Sequence, residues 1–332
     1  MNILVTGATG FLGENAVNRL LKEGHSVTAT GRSQEAGKRL TRAGATFLQL
    51  DLAAGQMGEA IAGHDAVFHC GALSAPWGKS RDFYTANVIG TRNVIQGCLK
   101  YNVQRLVHVS TPSIYFDYRH RFNIAEHEPL PKSAVNHYAA TKLLAEQEVD
   151  RAYREHGLRV VTIRPRALFG PGDTAIFPRL LRANDKRFIP MLGSGQPLVD
   201  ITYVDNVTEA LMRCLYADPI VLGQKYNITN GEPVRLWEAV SRLFELLNKP
   251  MRTKKIAYFA AYSAASLLEL AARLPGLAQE PLLTRYTVGI LAFSQTLSIE
   301  KAQRELGYRP LVSVEEGLRR FAAWWKEQEE IR

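Results

Sequence analysis

Tyr138 and Lys142 stand four residues apart in a stretch, Asn136 to Tyr153, that reads as helix, so a phenol and an ammonium project from one face. A free tyrosine, with a pKa of about 10, is a poor base at neutral pH. A nearby cation favours phenolate, which lets the side chain exchange a proton with a carbonyl or alcohol oxygen. Thr111 closes a separate apolar run, and its hydroxyl is suited to hold the same oxygen and stabilise charge developing on it. Tyrosine and lysine at this spacing are also common on ordinary helix surfaces, so the pair needs a reaction partner.

That partner is implied by the start of the chain, where Thr6-Gly7-Ala8-Thr9-Gly10-Phe11-Leu12-Gly13 follows the apolar Ile3-Leu4-Val5. Gly7 can turn without a Cβ clash, Gly10 lets the backbone approach a pyrophosphate, and Gly13 lets the following helix pack closely on the strand. Free backbone N–H groups in this turn and the first helical turn then face the phosphates, aided by the helix dipole. The segment predicts a dinucleotide site, and a cationic nicotinamide ring would further favour phenolate at Tyr138. The end of the second strand discriminates between cofactors. An acid there would bind the ribose hydroxyls of NAD and repel the 2′-phosphate of NADP, whereas this chain has Gly31 and Arg32. A guanidinium can pair with phosphate and stack on adenine, so NADP is expected over NAD; a solvated Arg32 would leave NAD use intact.

The elements that must position these groups alternate strand and helix. Strands are expected at Ile3–Thr6, Val27–Thr30, Thr46–Leu50, Ala66–Cys70, Leu106–Ser110 and Val160–Ile163, which is the pattern of an α/β, doubly wound parallel sheet. Ligands in such sheets sit beyond the carboxyl ends of the strands, which makes Gly31-Arg32, Asp51-Leu52, Gly71-Ala72, Thr111-Pro112-Ser113 and Pro165-Arg166 candidate walls. A chain of 332 residues, 46% hydrophobic, exceeds one such sheet and predicts a second, smaller lobe.

Composition excludes several classes. Cys70, Cys98 and Cys214 have no CxxC spacing, which fits reduced thiols in a cytoplasmic protein and no structural metal. The eight histidines show no ligand spacing, and His64, His69 and His108 read as packing or surface residues. The chain opens on a core strand with no leader signature, so secretion is not expected. A net charge of +9 spread along the sequence reads as a solvated surface or as attraction for an anionic cofactor, substrate or membrane face. No aromatic-basic platform accompanies it, so nucleic acid is not an expected partner. Ile256 to Leu268 carries no charge, but 13 residues fall short of the roughly 20 that a transmembrane span requires. It reads either as a core or pocket-wall helix or as a helix in peripheral contact with a membrane surface.

Together, the glycine-rich turn, Asn87-Val88-Ile89-Gly90-Thr91, Ser110 to Tyr115, Tyr138-Ala139-Ala140-Thr141-Lys142 and Arg164-Pro165 through Phe169-Gly170-Pro171-Gly172 resemble the extended short-chain dehydrogenase/reductase family over nearly the whole chain. The resemblance implies a Rossmann-type fold with Tyr138 as acid/base, Lys142 positioning the ribose and lowering the tyrosine pKa, and Thr111 in the family's serine/threonine position. It also implies that Pro165 and Leu168 lie by the nicotinamide, Asp51 and Leu52 by the adenine, and Cys70, Gly71 and Ala72 by the ribose and pyrophosphate. Pro112-Ser113 replaces the acidic pair of the sugar nucleotide dehydratases, and Arg32 speaks against the epimerases. Pro76-Trp77-Gly78, Arg164-Pro165-Arg166, Asn230-Gly231-Glu232-Pro233 and Pro281 to Arg285 are more similar to the 3β-hydroxysteroid dehydrogenase and 2-alkyl-3-oxoalkanoate reductase branch. A homodimer through Asn87–Lys100 and Asn136–Tyr153 is implied as well.

The expectation is therefore an NAD(P)-dependent oxidoreductase that interconverts a ketone and a secondary alcohol on a small hydrophobic substrate, a 2-alkyl-3-oxo acid or a sterol-like compound. Trp77, Ser113, Arg166 and Tyr203 are its substrate-side candidates, Arg166 meeting an anionic or carbonyl group of the substrate. The alternatives are a nucleotide-sugar epimerase or reductase of the same family and a cofactor-binding sensor without catalysis. Residues 1–168 with about 200–228 are assigned to the dinucleotide-binding half, and about 169–199 with 229–332 to a mostly helical substrate lobe.

Overall fold

A computed structural model of the protein describes residues 1–192, 196–272 and 280–330; parts of the expected substrate lobe, 193–195, 273–279 and 331–332, lie outside the described residues. Seven strands form the main sheet: β1 (Asn2–Thr6), β2 (Ser26–Gly31), β3 (Thr46–Gln49), β4 (Ala66–His69), β5 (Arg105–Val109), β6 (Val160–Pro165) and β7 (Lys225–Ile228). All pairings are parallel, in the order β7-β6-β5-β4-β1-β2-β3. The side-chain period of two divides these strands between two layers. Ile3, Val5, Phe68, Val107, Val161 and Ile163 enter the core on one face, while Leu4, Val67, Leu106 and Val160 enter the core on the other. Apolar residues at every position of such a strand therefore mean cover on both faces.

The covering helices also carry the site. Helix α1 (Phe11–Lys22) buries Ala16, Val17 and Leu20 against the first face. Helices α2 (Gly90–Lys100) and α3 (His137–His156) cover the second with Val94, Cys98, Val149 and Ala152. Asn136 caps α3 by accepting from the Ala139 N–H at 2.8 Å, and Gly157, at φ +67°, ends it in the left-handed region. The sheet's reversal point lies between β4 and β1, so the turns after these strands open a crevice at their carboxyl ends.

A second core gathers Phe169, Phe177, Leu181, Tyr203, Trp237, Phe244, Leu318 and Phe321. Beside it lies a four-stranded sheet of Val234–Arg235, Leu198–Val199, Gln295–Leu297 and Arg121–Ile124. The last of these comes from the segment expected to belong to the dinucleotide-binding half, so the two parts of the molecule are stitched through Gln295–Leu297. The apolar stretch expected at Ile256 to Leu268 forms helix α4 (Tyr258–Ala271), which buries Ala261, Ala265 and Glu269. Tyr258 and Tyr262 pack inward, while Phe259 and Leu267 on the outer face are 81% and 68% exposed. Helix α5 (Arg285–Ala292) packs against it. Among the described residues no helix is long and apolar enough to cross a membrane.

Candidate active site

The turn after β1 is closed by contacts that only glycine permits. Gly7 has φ +63°, and a Cβ there would lie 2.4 Å from Gly71 Cα; a Cβ on Gly13 would lie 2.2 Å from the Gly7 carbonyl oxygen. Gly10 differs: its nearest protein atom to a built Cβ is the Gly7 oxygen at 3.3 Å, so crowding within the chain does not account for its lack of a side chain. The first turn of α1, with no side-chain cap at Gly10, leaves backbone N–H donors open beside it. Thr9 closes the turn against Gly31, and Phe11 faces Gly172. These donors fit the pyrophosphate of a dinucleotide.

Asp51, Leu52, Cys70, Gly71 and Ala72 lie just past the ends of β3 and β4. Leu52 packs on Gly71, and Asp51 accepts from the Ala53 N–H at 2.8 Å. Cys70, half-buried, has its thiol pushed up to about 12 by burial, which makes it a packing group and not a nucleophile. Ala72 is exposed beyond the β4 tip; Pro165 closes β6, and Leu168 follows Arg166 two residues later. Arg32 is exposed after β2 and makes no ion pair among the described residues, which leaves its guanidinium free for an anion.

Tyr138, Lys142 and Thr111 come together at the carboxyl end of β5. Lys142, only 2% exposed, donates from Nζ to the Val109 carbonyl at 2.7 Å. Burial pulls its pKa down to about 8, against the upward pull of the Glu146 carboxylate. Half-buried Tyr138 has its phenol pushed above the usual tyrosine value by burial; the Ser74 and Thr111 hydroxyls pull the other way and the Tyr286 phenol adds to the rise. Tyr138 is thus protonated at neutral pH, and the lowering of its pKa expected from Lys142 does not appear: burial raises it instead. Thr111 accepts from the Ser113 N–H at 3.2 Å and donates to Ser113 Oγ at 3.1 Å, and Ser113 Oγ meets Tyr286 OH at 2.9 Å. The result is a chain of hydroxyls around one phenol, suited to holding an oxygen whose charge changes.

On the substrate side, Trp77 and Tyr286 line a cleft of about 700 Å³ between the loop after β4, the start of α3 and helix α5. The Tyr286 ring also stands edge-on to Phe116, 6.0 Å away, and the aromatic contacts continue through Tyr118 and Tyr262 to Tyr258 on α4. Arg166 is buried, and its Nε has no acceptor among the described residues. Tyr203 does not join this group. Its ring is 3% exposed and wedged against Phe169 and Gly317 in the second core, with the Arg320 guanidinium 5.8 Å from its centroid, so it is a packing residue and not a substrate wall.

Three participants escaped the sequence reading. Ser74 lies just past the expected strand tip, and Tyr286 comes from a helix with no periodic link to the sheet. Glu146 had a signal: it continues the Tyr138–Lys142 stripe by one more helical turn, and its carboxylate grips Arg164. His69, held between Thr6 Oγ1 at 2.7 Å and Thr91 Oγ1 at 2.9 Å, is a buried packing residue as expected.

Residues 3–229 match a family model described as the NAD dependent epimerase/dehydratase family. The chain is 39% identical over 329 residues to the 2-alkyl-3-oxoalkanoate reductase of Stenotrophomonas maltophilia, covering 97% of this chain and 99% of that one. It is 33% identical over 325 residues to the sterol-4-alpha-carboxylate 3-dehydrogenase, decarboxylating, of Mus musculus, covering 95% and 88%. The UDP-glucuronic acid 4-epimerase of Bacillus cereus, solved with UDP-glucuronic acid and NAD, aligns with a TM-score of 0.80 at 21% identity, covering 99% of this chain and all of that one; the likeness there is one of fold.

Proposed function

The chain belongs to the NAD dependent epimerase/dehydratase family, within the extended short-chain dehydrogenases/reductases, and from that premise we propose that it is an NADP-preferring reductase of a ketone on a hydrophobic substrate. It is an NAD(P)-dependent enzyme acting on CH–OH groups. The observation that carries the finer reading is the convergence of Tyr138, Thr111 and the buried Lys142 ammonium at one strand tip, beside a turn built for pyrophosphate.

A bound nicotinamide cofactor supplies hydride in reduction and accepts it in oxidation. Tyr138, protonated at neutral pH, donates its phenolic proton to the carbonyl oxygen. Thr111 steadies that oxygen, and Ser113 fixes the Thr111 rotamer through the pair of bonds that joins them. Lys142 is the residue that would hold the ribose hydroxyls. Its charge, beside Tyr138 on the same helix face, favours the phenolate left after proton transfer. Arg32 would pair with the 2′-phosphate. The aromatic row from Tyr286 to Tyr258 supports an apolar substrate, a 2-alkyl-3-oxo acid or a sterol-like compound, bound chiefly by the lobe of residues 169–199 and 229–332.

The protein is further read as a cytoplasmic homodimer through α2 and α3, where Leu144 is 41% exposed, in peripheral contact with membrane through the outer face of α4. Sedimentation and vesicle flotation test these two points. The central test is an assay of the pure protein with NADPH and NADH against 2-alkyl-3-oxo acids, sterols and sugar nucleotides. Turnover of the first two classes with NADPH is expected, and turnover of sugar nucleotides alone would sink the reading.

A further inference from the structure

Two hydroxyls and a phenol stand in a row assembled from distant parts of the chain. Thr111 Oγ1 lies 3.1 Å from Ser113 Oγ, and Ser113 Oγ lies 2.9 Å from Tyr286 OH, 173 residues further on. Thr111 and Ser113 are both buried, so water competes little for their hydroxyls. Helix α5 delivers the phenol to a fixed point. The capping box of Thr284 and Thr287 sets its first turn, and buried Glu269 of α4 accepts from the Arg285 N–H and from Arg285 Nε, each at 2.7 Å. Gly289 lets α5 sit directly on the segment that follows Ser113: a Cβ there would lie 2.8 Å from the Tyr118 ring and 3.0 Å from the Phe116 ring. The Tyr286 ring is itself held edge-on against Phe116.

The direction of the bonds in this row decides what Thr111 can do. A hydroxyl has one proton and two lone pairs. Thr111 Oγ1 already accepts from the Ser113 N–H at 3.2 Å. While its single proton rests on Ser113 Oγ, none is left for an oxygen on which negative charge is developing. Run the other way, from Tyr286 to Ser113 to Thr111, the row frees that proton, and each bond polarises the next. The reversal rotates hydroxyl protons only and moves no heavy atom. A phenol gives up its proton more readily than an aliphatic hydroxyl, which makes Tyr286 the natural head of the row.

We propose that Tyr286 is a positioning residue for the reaction: it donates to Ser113, Ser113 donates to Thr111, and Thr111 donates to the substrate oxygen while Tyr138 exchanges the proton. This rests on the oxidoreductase reading above and adds that the active site is complete only with α5, an element from the far end of the chain. Because the same residue lines the cleft, the wall that receives the substrate also sets the donor that its oxygen meets.

The test follows hydride transfer by the full-length enzyme in single turnovers, read as the absorbance of the NADPH formed. The probe is a 2-alkyl-3-hydroxyalkanoic acid, or a sterol alcohol where that is the better substrate. Tyr286→Phe keeps the ring and its packing and removes only the hydroxyl. It should slow hydride transfer about 10-fold, while the Kd for NADPH stays within about twofold of the parent. Ser113→Ala should slow it about 5-fold. The double variant should remain near the 10-fold loss of Tyr286→Phe alone, since both hydroxyls act through one row and removing Ser113 Oγ also removes the acceptor that draws the Thr111 proton away. A double variant near the product of the single losses, about 50-fold, overturns the row. So does a parental rate in either single variant. Failure of the unmodified enzyme to oxidise either kind of alcohol overturns the oxidoreductase reading itself.

Discussion

Glu146 and Arg164 clasp α3 to β6 through two hydrogen bonds, Nε to Oε1 at 2.9 Å and Nη2 to Oε2 at 2.5 Å, with both side chains nearly out of water. Burial would raise the Glu146 pKa, but the guanidinium overrides it and holds the carboxyl below its usual range. Because Tyr138, Lys142 and Glu146 share one helix face, the clasp also sets the depth at which phenol and ammonium meet the sheet. Glu146→Ala strands a buried cation and is expected to cost about 3–5 kcal/mol in urea unfolding. A loss below about 1 kcal/mol would mean that α3 is held by its apolar contacts alone.

Tyr138→Phe removes the proton donor without altering the ring. It should bind cofactor with an affinity within about twofold of the parent, while kcat for ketone reduction drops by about 10²–10⁴. Fluorescence titration of NADPH and steady-state rates separate the two effects. Reduction at an undiminished rate would remove Tyr138 from the chemistry.

Arg32 is exposed, so its replacement should leave the fold alone and change only cofactor choice. In Arg32→Ala the KM for NADPH should rise about 10-fold, the lower end for a charge-assisted bond screened by solvent, while that for NADH moves little. Equal use of NADH and NADPH by the unmodified enzyme would refute the preference assigned to Arg32.

Acid should weaken the fold through two imidazoles. Burial holds His69 down at about 3 and His108 well below the ordinary value, and both ring nitrogens of His108 lack a partner among the described residues. The unfolded chain binds protons near pH 6.5 that the folded chain refuses, so the contribution is complete above pH 6.5 and is lost as pH falls toward 3. Asp200, pushed up to about 6 by burial, opposes this as pH falls from 6 to 3.8, but one carboxyl is outweighed by two rings. Urea midpoints are expected to drop between pH 6.5 and 5, and His108→Leu should make that loss shallower by about 1–2 kcal/mol. An equal slope in both proteins would show that His108 titrates freely in the fold.

Local chemistry made much of this architecture legible. β1, β4, β5 and β6 announce themselves as apolar runs because both faces of the sheet are covered there, whereas the edge strand β3 is mostly exposed; α3 announces itself through its Asn136 cap. β7 does not, since Lys225–Ile228 mixes a charge with Asn227, whose side-chain amide is buried because it donates to the Ile124 carbonyl and accepts from the Tyr115 hydroxyl. Tyr286 and Arg121–Ile124 were invisible for a related reason: their partners are more than 170 residues away, and no periodicity carries that distance. Tyr203 misled because an aromatic residue near a strand end looks the same whether it faces a ligand or Phe169.

The contact between Gly7 and Gly71 makes the phosphate-facing turn a two-piece part. Transplanting residues 6–13 alone into another sheet would bring the bend without the bare backbone it rests on, and any ordinary residue at the second position would pry it open. A graft would need to carry the end of β4 along with it.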